Sequence, residues 1–144
     1  MELKGDSVEP IHGIVLVDVA EGGGKFEAEV LRGMGHPVVV CHGPEPKTLC
    51  PILRKGGSCA LVDQAHGIVF ELDLDRAQHR AILRRYQEVV RDDVPIRVLV
   101  SSEQAERYRE LLSGVEIWTD EPGVGDLDAF SARIEAAERV TEAD

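Results

Sequence analysis

Four polar positions follow apolar runs along this chain. They are Asp18 after GIVLV, Glu71 within HGIVFELDLD, Ser101 after IRVLV and Glu121 within WTDEP. Carboxylates brought together in this way can hold a hard cation through oxygen, or simply stay hydrated where strands leave a core. A second set is soft. Cys41, Cys50 and Cys59 follow a C-x8-C-x8-C spacing, and His42 adjoins the first of them. Three thiolates and an imidazole make a tetrahedral zinc set, thiolates also hold iron–sulfur clusters, and two thiols can form a reversible disulfide. The spacing is not the C-x2-C of a zinc knuckle. The plainer alternative makes Cys41 a small buried hydrophobe at a strand end and the other two ordinary loop thiols.

Positioning these groups falls to segments that alternate between two kinds. The runs 13–17, 37–41, 67–72, 95–100 and 115–119 are short, rich in β-branched residues and continuously apolar. Such runs suit parallel strands covered on both faces. Between them the spacing is helical. Phe26, Val30 and Met34 recur every four residues. Residues 76–91 carry Ile82, Leu83, Tyr86, Val89 and Val90 on one side, with Arg and Glu on the other. Ser101 with Gln104 reads as a capping box, Gly114 ends that segment, and Leu127, Phe130, Ile134 and Ala137 share one face of a last helix at about 126–140. Five strand–helix units imply an α/β fold with a five-stranded parallel sheet and helices on both faces. The expectation is one domain over residues 1–144, with a core of about 12–140 and short tails. Residues 42–66, with their prolines, paired glycines and cysteines, are predicted to be irregular between the second and third strands.

The order HGIVLVD, LRGMGHPVVVC, HGIVFELDLD, ILRRYQEVVRDDVPIRVLVS, GVEIWTDEP resembles the response-regulator receiver family, a CheY-like, flavodoxin-like fold. In that resemblance Asp18 matches one of two acidic residues that hold magnesium after the first strand, and Val19 replaces the other. Glu71 falls on the phospho-acceptor aspartate. Val100 or Ser101 falls near the switch hydroxyl, and Glu121, before Pro122, falls on the lysine that pairs with the phosphoryl group. Phosphoryl transfer at such a site needs an aspartyl carboxylate, a divalent cation and a cation at the transferred oxygens. Glu71 has too long an arm, and Glu121 places negative charge where the phosphoryl group would sit. The resemblance therefore implies a degenerate receiver that takes no phosphate, is not an enzyme, and acts by association. Its partner would be another protein, or a second copy of this chain, docked through the region 103–140.

Composition narrows the partners further. There are 27 Asp and Glu against 16 Lys and Arg, a net charge of −11. That opposes direct binding of nucleic acid or anionic membrane, which rely on neutralising phosphate. No apolar run is long enough to span a bilayer, and MELKGDSVEP lacks the apolar stretch of a secretion signal, so a cytoplasmic location is expected. An odd cysteine count there does not suggest a disulfide framework. EGGGKF lacks the spacing of a phosphate loop and reads as a turn. Asp75 reads as a helix cap, His79 as exposed, and Trp118 as packing. Two further readings stand beside the receiver-like module. One is a sensor of metal, iron–sulfur cluster or redox state built on Cys41, Cys50, Cys59 and His42. The other is a small flavodoxin-like enzyme or nucleotide binder using the strand ends and the glycine turn.

Overall fold

The computed structural model describes residues 13–20, 22–43, 50–54 and 57–143. The predicted tail before His12 lies outside these, as do parts of the irregular segment after Gly43. Five strands form the sheet: β1 (Val15–Val19), β2 (Val38–Cys41), β3 (Gly67–Glu71), β4 (Ile96–Leu99) and β5 (Glu116–Trp118). Among the described residues all pairings are parallel, in the order β2-β1-β3-β4-β5. The helices are α1 (Lys25–Gly33), α2 (Ala60–Gln64), α3 (Ala77–Val89), α4 (Ser102–Arg107) and α5 (Val124–Ala143), with a 3₁₀ turn at Pro51–Leu53. The predicted α/β class, strand number and parallel sheet are all observed. The irregular segment resolves into the 3₁₀ turn and the short α2 among its described residues.

Alternation along the strands divides the core into two layers, as the pleat requires. Val15, Val17, Val19 and Val69 meet Leu31 of α1 and Leu127, Phe130 and Ile134 of α5. Leu16, Ile68, Phe70 and Val98 face the other way. They meet Ile82, Leu83 and Tyr86 of α3 and Ile52 of the 3₁₀ turn. Phe70 and Tyr86 close this second layer edge to face, with ring centroids 6.0 Å apart and planes at 89°. The helices on the first face lie close. A Cβ placed on Gly67 would sit 2.5 Å from Ile134 Cδ1, so a larger residue where β3 passes under α5 would have to push the Ile134 side chain aside.

Several boundaries and faces differ from the sequence expectation. β1 runs two residues further than the apolar run and includes Asp18. α1 buries Glu27, Ala28 and Leu31, while Phe26 is 49% exposed. α3 follows its predicted stripe, except that Val89 is exposed. His79, expected on the exposed face, is only 6% exposed, with Nδ1 3.1 Å from the Asp73 carbonyl. Asp75 does not cap α3. Its carboxylate instead takes hydrogen bonds from Arg107 and Tyr108, both at 2.7 Å. Those bonds accompany the end of regular helix α4 at Arg107. Residues 108–114 continue as turns to Gly114 (φ 91°).

Candidate functional site

The carboxyl ends of the strands open into a cleft of about 460 Å³ lined by Glu71, Asp73, Ser101, Gln104, Asp120 and Glu121, among others. Glu71 is the last residue of β3. Its register partner on β1 is Val19, which packs on the α1–α5 side, so Glu71 points to that side too. There it meets Glu27 on the first turn of α1, which is 3% exposed. Gly24 makes this approach possible. It caps α1 with φ 80°, and a side chain there would meet Val19 Cγ1 at 2.8 Å. Glu121, exposed on the loop after β5, completes the group. Each of Glu27, Glu71 and Glu121 offers a carboxylate oxygen, and these lie within 4.8 Å of one another.

Three carboxylates at this range cannot all stay charged without compensation. Burial pushes the Glu71 carboxyl up to about 9, reinforced by a hydrogen bond to Glu27 and by the charges of Glu27 and Glu121. Its Oε2 is enclosed and has no hydrogen-bond partner among the described residues. A proton on Glu71 removes one of the three charges and lets its carboxyl donate to Glu27. As ligands, the three would present hard oxygen donors of the kind that suit magnesium, calcium or manganese.

Asp18 does not join them. Its register partners are Cys41 and Phe70, so it projects to the α3 side of the sheet, away from Glu71. It is 1% exposed, and the Tyr86 hydroxyl of α3 donates to its Oδ2 at 2.7 Å. Burial raises its carboxyl to about 6 against the lowering effect of hydrogen bonds from Tyr86 and Cys41. Ser101 lines the cleft but serves α4. Its Oγ accepts from Gln104 N at 3.0 Å, and Gln104 Oε1 accepts from Ser101 N at 3.3 Å, which is the predicted capping box. Gln104 also donates to Asp73 at 3.0 Å, tying α4 to the loop after β3.

The cysteines lie on the Asp18 side. Cys41, Cys50 and Cys59 are partly buried, packed against the α3-side core, and unlinked by disulfides. Together with His42 they do not bring three ligand atoms within 4.8 Å, unlike the three glutamates. His42 turns away from them, its Nδ1 donating to the Val19 carbonyl at 3.0 Å. Glu27 is the site residue that sequence reasoning missed. Its spacing from Leu31, one turn along α1, was the signal available.

No family model matches the sequence, and no curated protein matches it. The fold itself has many relatives among solved structures. A CheY-like response regulator receiver domain protein from Methanospirillum hungatei superposes with a TM-score of 0.57 at 14% identity, covering 90% of this chain and 98% of that one. The fold is receiver-like. A BeF3-activated DrrB receiver domain superposes at TM-score 0.53 and 18% identity, over 90% and 99% of the two chains. A structure described as adenylate cyclase from Rhodopirellula baltica gives 0.58 at 15% identity, over 93% and 95%. In this receiver-like chain the five-stranded parallel sheet is the one expected from the sequence. Among the described residues, no helix is long and apolar enough to cross a membrane.

Proposed function

We propose that this chain is a receiver-like interaction module that does not take phosphate. The observation carrying this reading is the carboxyl group of Glu71 held against Glu27 and Glu121. A phosphoryl acceptor must be an ionised nucleophile with cations at the transferred oxygens. Glu71 is protonated at neutral pH and faces two further acids. The acid that the resemblance assigns to magnesium, Asp18, is occupied by Tyr86 on the other side of the sheet. The group therefore supplies neither nucleophile nor counter-charge. Signalling then proceeds through association, with the face built from α4, β5 and α5 as the docking surface for a protein partner.

The direct test is intact-mass analysis after incubation with acetyl phosphate and magnesium. No adduct is expected. A stoichiometric phosphate mapped to Glu71 would overturn the reading.

A further inference from the structure

One arginine is buried at the end of the sheet opposite the glutamate cleft. Arg97 stands near the start of β4 and is 8% exposed, and among the described residues no other arginine or lysine is buried. Its register partners are Val69 and Glu116, so its side chain points to the α1–α5 side. There its guanidinium carbon lies 5.5 Å from the centre of the Phe130 ring, which fixes the place of the fork. The fork is under-used. Nη2 meets Glu116 Oε1 at 2.9 Å, and Nη1 reaches the Ile96 carbonyl only at 3.5 Å. A guanidinium has five N–H donors and cannot shed its charge. Burying it against one good acceptor leaves donors unmet. Glu116 is a weak counter-ion, since its side chain is 62% exposed. Burial therefore pulls Arg97 below its ordinary range, and the charge of Glu116 offsets this only in part.

A cavity of about 310 Å³ opens beside this fork, where the amino ends of β4 and β5 meet the end of α3 and the side of α5. That volume suits a small ligand. Arg133 of α5 lines it as well. Its Nη1 lies 3.8 Å from Glu116 Oε2, too far for a hydrogen bond, so its fork is not committed to that carboxylate. Val90, Ile96 and Val115 supply an apolar wall, and Asp92 joins Glu116 as a second acid. The cavity shares no lining residue with the glutamate cleft.

We propose that this cavity binds a small organic monocarboxylate, held by Arg97 and Arg133 with its carbon body against Val90, Ile96 and Val115. The ligand's carboxylate takes the N–H groups of Arg97 that Glu116 does not reach, and Arg133 closes on it from the solvent side. A planar carboxylate matches the guanidinium fork. Charge sets the selection. Two arginines face two acids, so a single negative charge completes the pairing of Arg97, whereas a second would meet Asp92 and Glu116. Apolar carbon adds to affinity by leaving water for the wall.

The experiment titrates the isotope-labelled full chain with isovalerate, acetate or inorganic phosphate and follows backbone amide and arginine Nε–H signals by NMR. Millimolar isovalerate should shift the signals of Arg97, Val115 and Glu116 saturably. Acetate lacks the branched body and should bind several-fold more weakly. Phosphate should leave these signals in place. Arg133→Ala, at a side chain 59% exposed, should weaken isovalerate binding several-fold. Arg97→Met keeps an unbranched chain against Phe130 and should abolish binding; if that variant does not fold, Arg133→Ala decides. Arg109→Ala removes an equal charge beyond α4 and should change nothing. Absence of saturable shifts, an equal response to phosphate, or wild-type affinity in Arg133→Ala would overturn the proposal.

Discussion

The Tyr86 hydroxyl and the Asp18 carboxylate meet at 2.7 Å in the interior, joining α3 to β1 through 68 residues of separation. Tyr86→Phe keeps the ring against Phe70 but strands a buried acceptor. The expected cost is roughly 1–3 kcal/mol. The loss should be larger at about pH 8 than at about pH 4.5, because only the ionised carboxylate needs the donor in full. Urea melts of wild type and variant at the two pH values would measure this. Equal losses at both would mean that the bond does not depend on the charge of Asp18.

Asp18→Asn makes the complementary prediction. The folded carboxyl titrates at about 6 against an ordinary 3.8. A raised acid contributes stability that is fully present below the ordinary value and lost as pH rises through the folded one. Asparagine keeps an acceptor for Tyr86 and does not titrate. The variant should therefore gain on wild type between about pH 4 and pH 7, by roughly 3 kcal/mol across the window. A flat difference across that range would contradict the burial of Asp18 as a titrating group.

Glu71 gives the same sign in a higher window. Its carboxyl is raised from 4.5 to about 9, so wild-type stability falls as pH climbs between those values. Glu71→Gln should stabilise the fold increasingly across that range. Solvent at the mouth of the cleft limits the gain to roughly 1–2 kcal/mol. Thermal melts from pH 5 to about pH 9 would follow it. Glu121→Lys should shift the Glu71 titration downward, which carboxyl-selective NMR reads directly, since a repelling charge becomes an attracting one.

Ser101→Ala removes the hydroxyl that satisfies Gln104 N at the start of α4. A loss of about 1 kcal/mol is expected. Behaviour toward acetyl phosphate should be unchanged, because the hydroxyl acts as a cap. A variant with unaltered denaturation midpoint would show that the capping box carries no stability.

Much of the architecture was legible in the residue order. Five continuous β-branched runs alternating with helical spacing leave few arrangements other than a parallel sheet covered on both faces. The Ser101–Gln104 cap could be read directly because both partners lie within four residues. The failures were of another kind. Asp75 was misplaced because its partners, the side chains of Arg107 and Tyr108, lie more than thirty residues away, whereas His79 turns back onto the Asp73 carbonyl six residues before it, a contact that helical spacing does not record.

What the chain determined by itself was the set of acids at the strand ends and the absence of a lysine among them. Those are matters of composition at given positions. Only the tertiary structure decided which acids meet. Pleating sends Asp18 and Glu71 to opposite faces of the sheet, because their places on adjacent strands differ by one residue in register. The helix packed on each face then supplied the partner, Tyr86 from α3 for one and Glu27 from α1 for the other. A linear pattern records neither choice, since the contacts span dozens of residues and depend on which helix covers which face.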